Sequence, residues 1–160
     1  MNRLWAPWRI TYVSGPQPTT ACVFCEALRD PDDGARFVLR RGSRAFLILN
    51  AYPYASGHVM VVVNRHVAAV EDATADELGE AMALVQTAAA ALRREYRPDG
   101  FNIGMNQGRV AGAGIEGHLH IHVVPRWNGD TNFMPVLGDV KVLPEALPTT
   151  YDRLEAALGS

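Results

Sequence analysis

Apolar residues come in short bursts over the first half of the chain. FVLRR (37–41) and RAFLILN (44–50) are β-rich runs separated by Gly42 and Ser43, which predicts a hairpin. AYPYASG then turns into HVMVVVN (58–64), a third strand. From Thr74 to about Arg97 the period changes: Leu78, Met82, Val85, Ala89, Leu92 and Tyr96 recur at alternating steps of four and three, one stripe of an amphipathic helix. Thr74 with Glu77 has the spacing of a capping box, and Pro98, Asp99 and Gly100 end the element. FNIGMN (101–106) reads as a strand, QGRVAGAGIEG (107–117) as a glycine-rich loop, and His118 to Pro125 as a further strand. Beyond Trp127 the pattern predicts a loop, a short strand VKVL (140–143) and a short helix ending near Leu158.

Residues 1–35 show no sustained period. Trp5, Trp8 and Tyr12 stand among Pro, Gly and Thr, which predicts an irregular arm docked on the body by its rings. Strands grouped around one long helix, joined by hairpin-length links, predict an α+β fold with an antiparallel sheet. With no repeat and no linker, the 160 residues are expected to form one domain, 1–160, whose C-terminal extension is 128–160. Fifteen basic against seventeen acidic residues leave a net charge of −2, which excludes a polyanion-coating role and makes any phosphate chemistry local. No apolar run reaches the length of a membrane span, and MNRLWAPWRI lacks the features of a secretory signal, so a cytoplasmic protein with neither nucleic acid nor membrane as partner is expected.

The two cysteines lie at CVFC, Cys22 and Cys25, a spacing that suits a redox dithiol or half of a tetrahedral metal site. Two free thiols are the plain alternative. Three of the five histidines, His118, His120 and His122, occupy alternate positions of one strand and so share a face, while Leu119, Ile121 and Val123 share the other. At about 3.3 Å per residue the outer two lie roughly 13 Å apart, too far for all three to close on one ion unless the strand bends, so that two adjacent ones could share a metal or each could have a separate role. Separate roles fit phosphoryl-type chemistry. A neutral imidazole nitrogen is a nucleophile near pH 7, and the glycine-rich segment from Asn106 to Gly117 can offer backbone amides to the charge that spreads over phosphate oxygens. His58 and His66, taken singly, read as structural or surface residues.

HLHIHVV, histidines alternating with apolar residues and closing on two more, resembles the hallmark of the histidine triad family. The likeness extends to FLILNAYPYASGHVMVVVNRHV and FNIGMNQG, and covers most of residues 22–127. LWAPWR and VPRWNGDTNFMPV further resemble a prokaryotic branch that phosphorolyses diadenosine tetraphosphate. This resemblance implies a dimer-forming antiparallel sheet and nucleotidyl transfer at the α-phosphate of an adenine nucleotide or dinucleoside polyphosphate, with inorganic phosphate or water as acceptor. His120 would be the nucleophile, His122 the contact to phosphate oxygens or leaving group, and His58 part of the network around them. Asn50 would lie on the ribose side, and Asn106 in the phosphate loop. In zinc-carrying members the matching ligands are Cys22, Cys25, His66 and His118, a closed set implying a structural Zn2+; none is required for the chemistry itself.

One departure concerns the segment GAGIEG, where many members carry Gln or Ser donors: Gly112 and Gly114 can offer only backbone amides, and Glu116 has no role that the family supplies. That stretch is closer to the phosphorylase branch than to the purine nucleoside phosphoramidase branch. A phosphoramidase and a non-catalytic nucleotide-binding module are the alternative readings.

Overall fold

The computed structural model describes residues 21–131 and 145–159. The rings Trp5, Trp8 and Tyr12 and the VKVL segment lie outside the described residues. The three apolar runs of the first half pair as β1 (Val38–Arg41), β2 (Ala45–Leu49) and β3 (Val59–Val63). With β4 (Gly100–Gly104) and β5 (His120–Arg126) they form a five-stranded sheet in the order β1-β2-β3-β5-β4, antiparallel throughout. Both β2 and β3 are buried at all five positions, because both faces of the sheet are covered there.

Leu47, Leu49, Val59, Val61, Ile121 and Val123 cluster on one face with residues of α3 (Ala75–Tyr96) and α4 (Leu147–Gly159). Phe46, Ile48, Met60 and Val62 belong to the opposite cluster, joined by Phe24 and Ala27 of α1 (Val23–Arg29). Register fixes where the histidines fall. Met60 pairs with His122 and Val62 with His120, so those imidazoles share a face with the apolar side chains that α1 packs against.

Helix α3 begins with the expected capping box: Glu77 N–H donates to Thr74 Oγ1 at 3.2 Å, and Thr74 N–H donates to Glu77 Oε2 at 2.8 Å. Arg65 donates to both oxygens of the same carboxylate, and that pairing leads the interactions that hold Glu77 down to about 2. Arg97 ends the helix in the left-handed region at φ 48°, just before Pro98. The buried stripe differs from the expected one. Val85 and Leu92 point inward as read, but Ala81, Leu84, Ala88 and Ala91 complete the contact, while Met82 is 48 % exposed. Alanines let a helix approach a sheet closely, and a pattern weighted toward large side chains places the stripe off to one side of them.

The expectation of an irregular arm over 1–35 is corrected for its described part. Residues 23–29 form α1 and Asp33–Arg36 form a single helical turn, α2. Segments this short hold too few turns to display a period, and their stability comes from what they touch. α1 buries Phe24 and Ala27, and Arg41 donates to the carbonyls of Ala27, Leu28 and Asp30 at its C-terminal end. Among the described residues, no helix is long and apolar enough to cross a membrane.

Candidate active site and metal centre

Strand β5 starts two residues later than the histidine pattern suggests. His118 and Leu119 precede it, with Leu119 N–H drawn to the Val67 carbonyl at 2.6 Å. His118 therefore stands at the end of the sheet, beside the turn that carries His66. α1 brings the cysteines to the same place. One ligand atom each from Cys22, Cys25, His66 and His118 lie within 4.8 Å of one another. Cys22 Sγ is 3.3 Å from His118 Nδ1, Cys25 Sγ 3.3 Å from His66 Nδ1 and 3.7 Å from His118 Nδ1. A tetrahedral zinc with sulfur at about 2.3 Å and nitrogen at about 2.0–2.1 Å sets such sulfur–nitrogen edges near about 3.5 Å, so the four residues could hold a metal ion.

Hydrogen bonds at this centre fix which nitrogen of His118 faces the cluster. Its Nε2 lies 2.6 Å from the Val63 carbonyl oxygen, which can only accept, so the proton sits on Nε2 and Nδ1 offers its lone pair to the cysteines. Burial first, and then the neighbouring Cys22, push the Cys25 thiol up. A metal ion held here would have to displace the Cys25 proton to take its sulfur as thiolate.

His120, two residues on, has the opposite tautomer. Its Nδ1 is 2.7 Å from the His118 carbonyl oxygen and must donate, which leaves Nε2 as the lone-pair nitrogen, without a hydrogen-bond partner among the described residues, on a side chain only 4 % exposed. His122 is set by a relay. Tyr54 N–H donates to His58 Nδ1 at 3.0 Å, so His58 carries its proton on Nε2 and donates it to His122 Nδ1, also at 3.0 Å. His122 then keeps its own proton on Nε2. The geometry brings together His58, His120 and His122, the three histidines that the family resemblance implies for the reacting site. Gly57, at φ 78° and with Leu92 against the position a Cβ would take, makes the turn that delivers fully buried His58 to this place.

Burial pushes the imidazoles of His118 and His120 below their ordinary value, and burial together with the nearby His120 pushes His122 down to about 4. All three are neutral at pH 7. The Asn50 amide nitrogen lies 3.3 and 3.4 Å from the two ring nitrogens of His58, while its oxygen accepts from Tyr52 N–H at 2.9 Å.

In the glycine-rich loop, Asn106 Nδ2 donates to the Gly112 carbonyl at 3.5 Å, and Gly112 adopts φ 85°, a conformation that favours glycine. Gly114 is exposed two residues further on. Glu116 has a partner: Arg109 Nε donates to it at 3.0 Å, closing the loop across its short 3-10 turn.

Two rings at the site went unread in the sequence. Tyr54 lies with its ring centroid 4.8 Å from that of His58. Phe24 lies 5.5 Å from His118 and 5.1 Å from His120. Its signal was its position between two candidate ligands.

A buried imidazole with one nitrogen tied and the other turned away from the backbone can act as a nucleophile, and here it is carried on an antiparallel α+β sheet beside four residues that could hold a metal ion. The HIT domain profile matches residues 35–129, and the chain belongs to this family, that of the histidine triad proteins. It is 40% identical over 158 residues to the AP-4-A phosphorylase of Mycobacterium tuberculosis strain H37Rv, a match covering 94% of this chain and 80% of that protein. The crystal structure of a Zn-bound histidine triad family protein from Mycobacterium smegmatis is similar with a TM-score of 0.70 and 27% identity over 87% of this chain and 94% of that one. A hypothetical histidine triad nucleotide-binding protein from Sulfolobus tokodaii is similar with a TM-score of 0.65 and 26% identity, over 86% of this chain and 89% of that one.

Proposed function

We propose that the protein transfers a nucleotidyl group from diadenosine tetraphosphate to inorganic phosphate through a covalent bond to His120. The observation that carries this reading is the His120 Nδ1–H donated to the His118 carbonyl, which aims a free Nε2 lone pair away from the backbone. Likeness to an AP-4-A phosphorylase supplies the substrate class. In the first step Nε2 attacks the α-phosphorus, a P–N bond forms, and the P–O bond to the rest of the polyphosphate breaks to release ATP. The His122 Nε2–H, held in place by His58, donates to the oxygens on which charge develops. A phosphate oxygen then attacks the same phosphorus, the P–N bond breaks, and ADP leaves. Asn106 and the amides around Gly112 and Gly114 hold the phosphates, and Asn50 faces the ribose.

Zinc suits the donor set of Cys22, Cys25, His66 and His118, and a Zn-bound relative supports that choice. Four protein ligands leave no open position for substrate, so what the ion supplies is a tie between α1 and the end of the sheet. A homodimer through β4 completes the proposal. That strand ends the sheet order, and Ile103 on it and Met105 just past its end are exposed.

Diadenosine tetraphosphate incubated with and without inorganic phosphate tests the reaction. ADP and ATP formed only with phosphate are the expected products. AMP and ATP formed equally without phosphate would make the protein a hydrolase. Cleavage of adenosine phosphoramidate alone would make it a phosphoramidase, and tight nucleotide binding without turnover a binding module.

A further inference from the structure

Among the described residues His120 makes one hydrogen bond, the one that fixes its tautomer, and a single bond leaves a ring able to turn about its last torsion, where imidazoles have broad, two-fold preferences. A turn of half a circle would carry Nδ1 away from the His118 carbonyl and move the Nε2 lone pair off its line. Packing is what opposes this motion. Two rings are in position to do so: His122, with its centroid 4.8 Å from that of His120, and Phe24, which is 2 % exposed, with its centroid 5.1 Å from His120 at an interplanar angle of 56°, and 5.5 Å from His118 at 86°. One aromatic side chain thus touches both the histidine whose carbonyl receives the bond and the histidine that donates it.

Phe24 is itself held at both ends of a short helix. Cys22 and Cys25 on either side belong to the four-residue metal cluster, and Arg41 takes the carbonyls of Ala27, Leu28 and Asp30 at the other end of α1. A seven-residue helix has little stability of its own, so these attachments determine where the ring lies. We infer that Phe24 is a positioning residue for the nucleophile, locking the His120 ring so that Nδ1 stays on the His118 carbonyl, and that the Cys–His cluster holds Phe24 in place to do this. The metal cluster and the reacting nitrogen are then coupled through a phenyl ring and a backbone carbonyl.

This inference rests on the reading of His120 as the nucleophile, and its test separates the two. In wild type, Phe24→Leu and Phe24→Ala, the protonated ring nitrogen of His120 is read by long-range proton–nitrogen correlation without substrate, alongside kcat and KM for diadenosine tetraphosphate with phosphate and the thermal unfolding curve. Wild type is expected to show His120 protonated on Nδ1 alone. In Phe24→Ala the proton is shared between both nitrogens and kcat falls roughly 10- to 100-fold with little change in KM. Phe24→Leu, which keeps most of the volume and secures the comparison if the alanine variant unfolds, shows a smaller change of the same kind. Chelating the metal from wild type reproduces the His120 change while the sheet stays folded. The inference is overturned if His120 keeps its proton on Nδ1 in the folded variants while KM alone rises, which would make Phe24 a substrate contact. Absence of turnover in wild type would sink the proposed reaction, and the nitrogen spectra would still decide the part played by Phe24.

Discussion

His118 and His120 stand two residues apart on one face of one chain segment, yet they present opposite nitrogens. His118 gives its Nε2–H to the Val63 carbonyl and turns Nδ1 to the cysteines; His120 gives its Nδ1–H to the His118 carbonyl and leaves Nε2 free. His122 differs again, accepting at Nδ1 from His58 and keeping a donor at Nε2. One residue type therefore supplies a lone pair turned to the cysteines, a lone pair turned away from the backbone that the proposed reaction uses as nucleophile, and an N–H donor. What sets each apart is the backbone or side-chain group at its other nitrogen, and residue identity alone does not.

Removing the proposed nucleophile should break the comparison most completely. His120→Ala is expected to lose roughly 10⁴-fold or more in steady-state turnover of diadenosine tetraphosphate, with melting and metal content preserved. The metal end should respond in the converse way. Cys22→Ser, followed by calorimetry and metal analysis, loses the ion and several kcal/mol of stability, and leaves residues 21–36 open to protease. Acid touches both ends with one sign. In the proposed reaction His120 and His122 act in their neutral forms and burial pushes both below 6.5, so kcat/KM is level above 6.5 and declines only at lower pH, as His120 and His122, the latter pushed down to about 4, take up protons. Stability follows the same course: the unfolded imidazoles take up protons below 6.5 before the folded ones do, so it is full above that pH and lost as pH falls toward 4. A kcat/KM profile half-maximal at or above 6.5 would contradict this. Thr74→Ala, remote from both ends, is the smallest change. Loss of its cap costs about 1 kcal/mol in denaturant titration, with turnover per folded molecule unaltered.

Much of this arrangement is legible in the residues. Alternation in HLHIHVV fixes a shared face, the apolar runs fix β2 and β3, and Thr74 with Glu77 fixes the start of α3 because each depends on neighbours close in sequence. The four metal-cluster residues named from the family likeness do converge. Other features depend on partners distant in the chain. α1 forms because Phe24 and Ala27 find the sheet and Arg41 finds its carbonyls, and no local period announces either. The contact stripe of α3 runs through alanines that a hydrophobicity pattern underweights. Glu116 gains a reading only once the loop brings Arg109 to it. Tautomers are the least legible of all, since each is decided by an acceptor such as the Val63 carbonyl, 55 residues away in sequence from the ring it binds.

The most direct test of these unequal histidines is a long-range proton–nitrogen correlation spectrum of the metal-loaded wild-type protein at neutral pH. It should show the proton on Nε2 of His118, on Nδ1 of His120 and on Nε2 of His122. A spectrum in which His118 and His120 carry their protons on the same nitrogen would contradict the account.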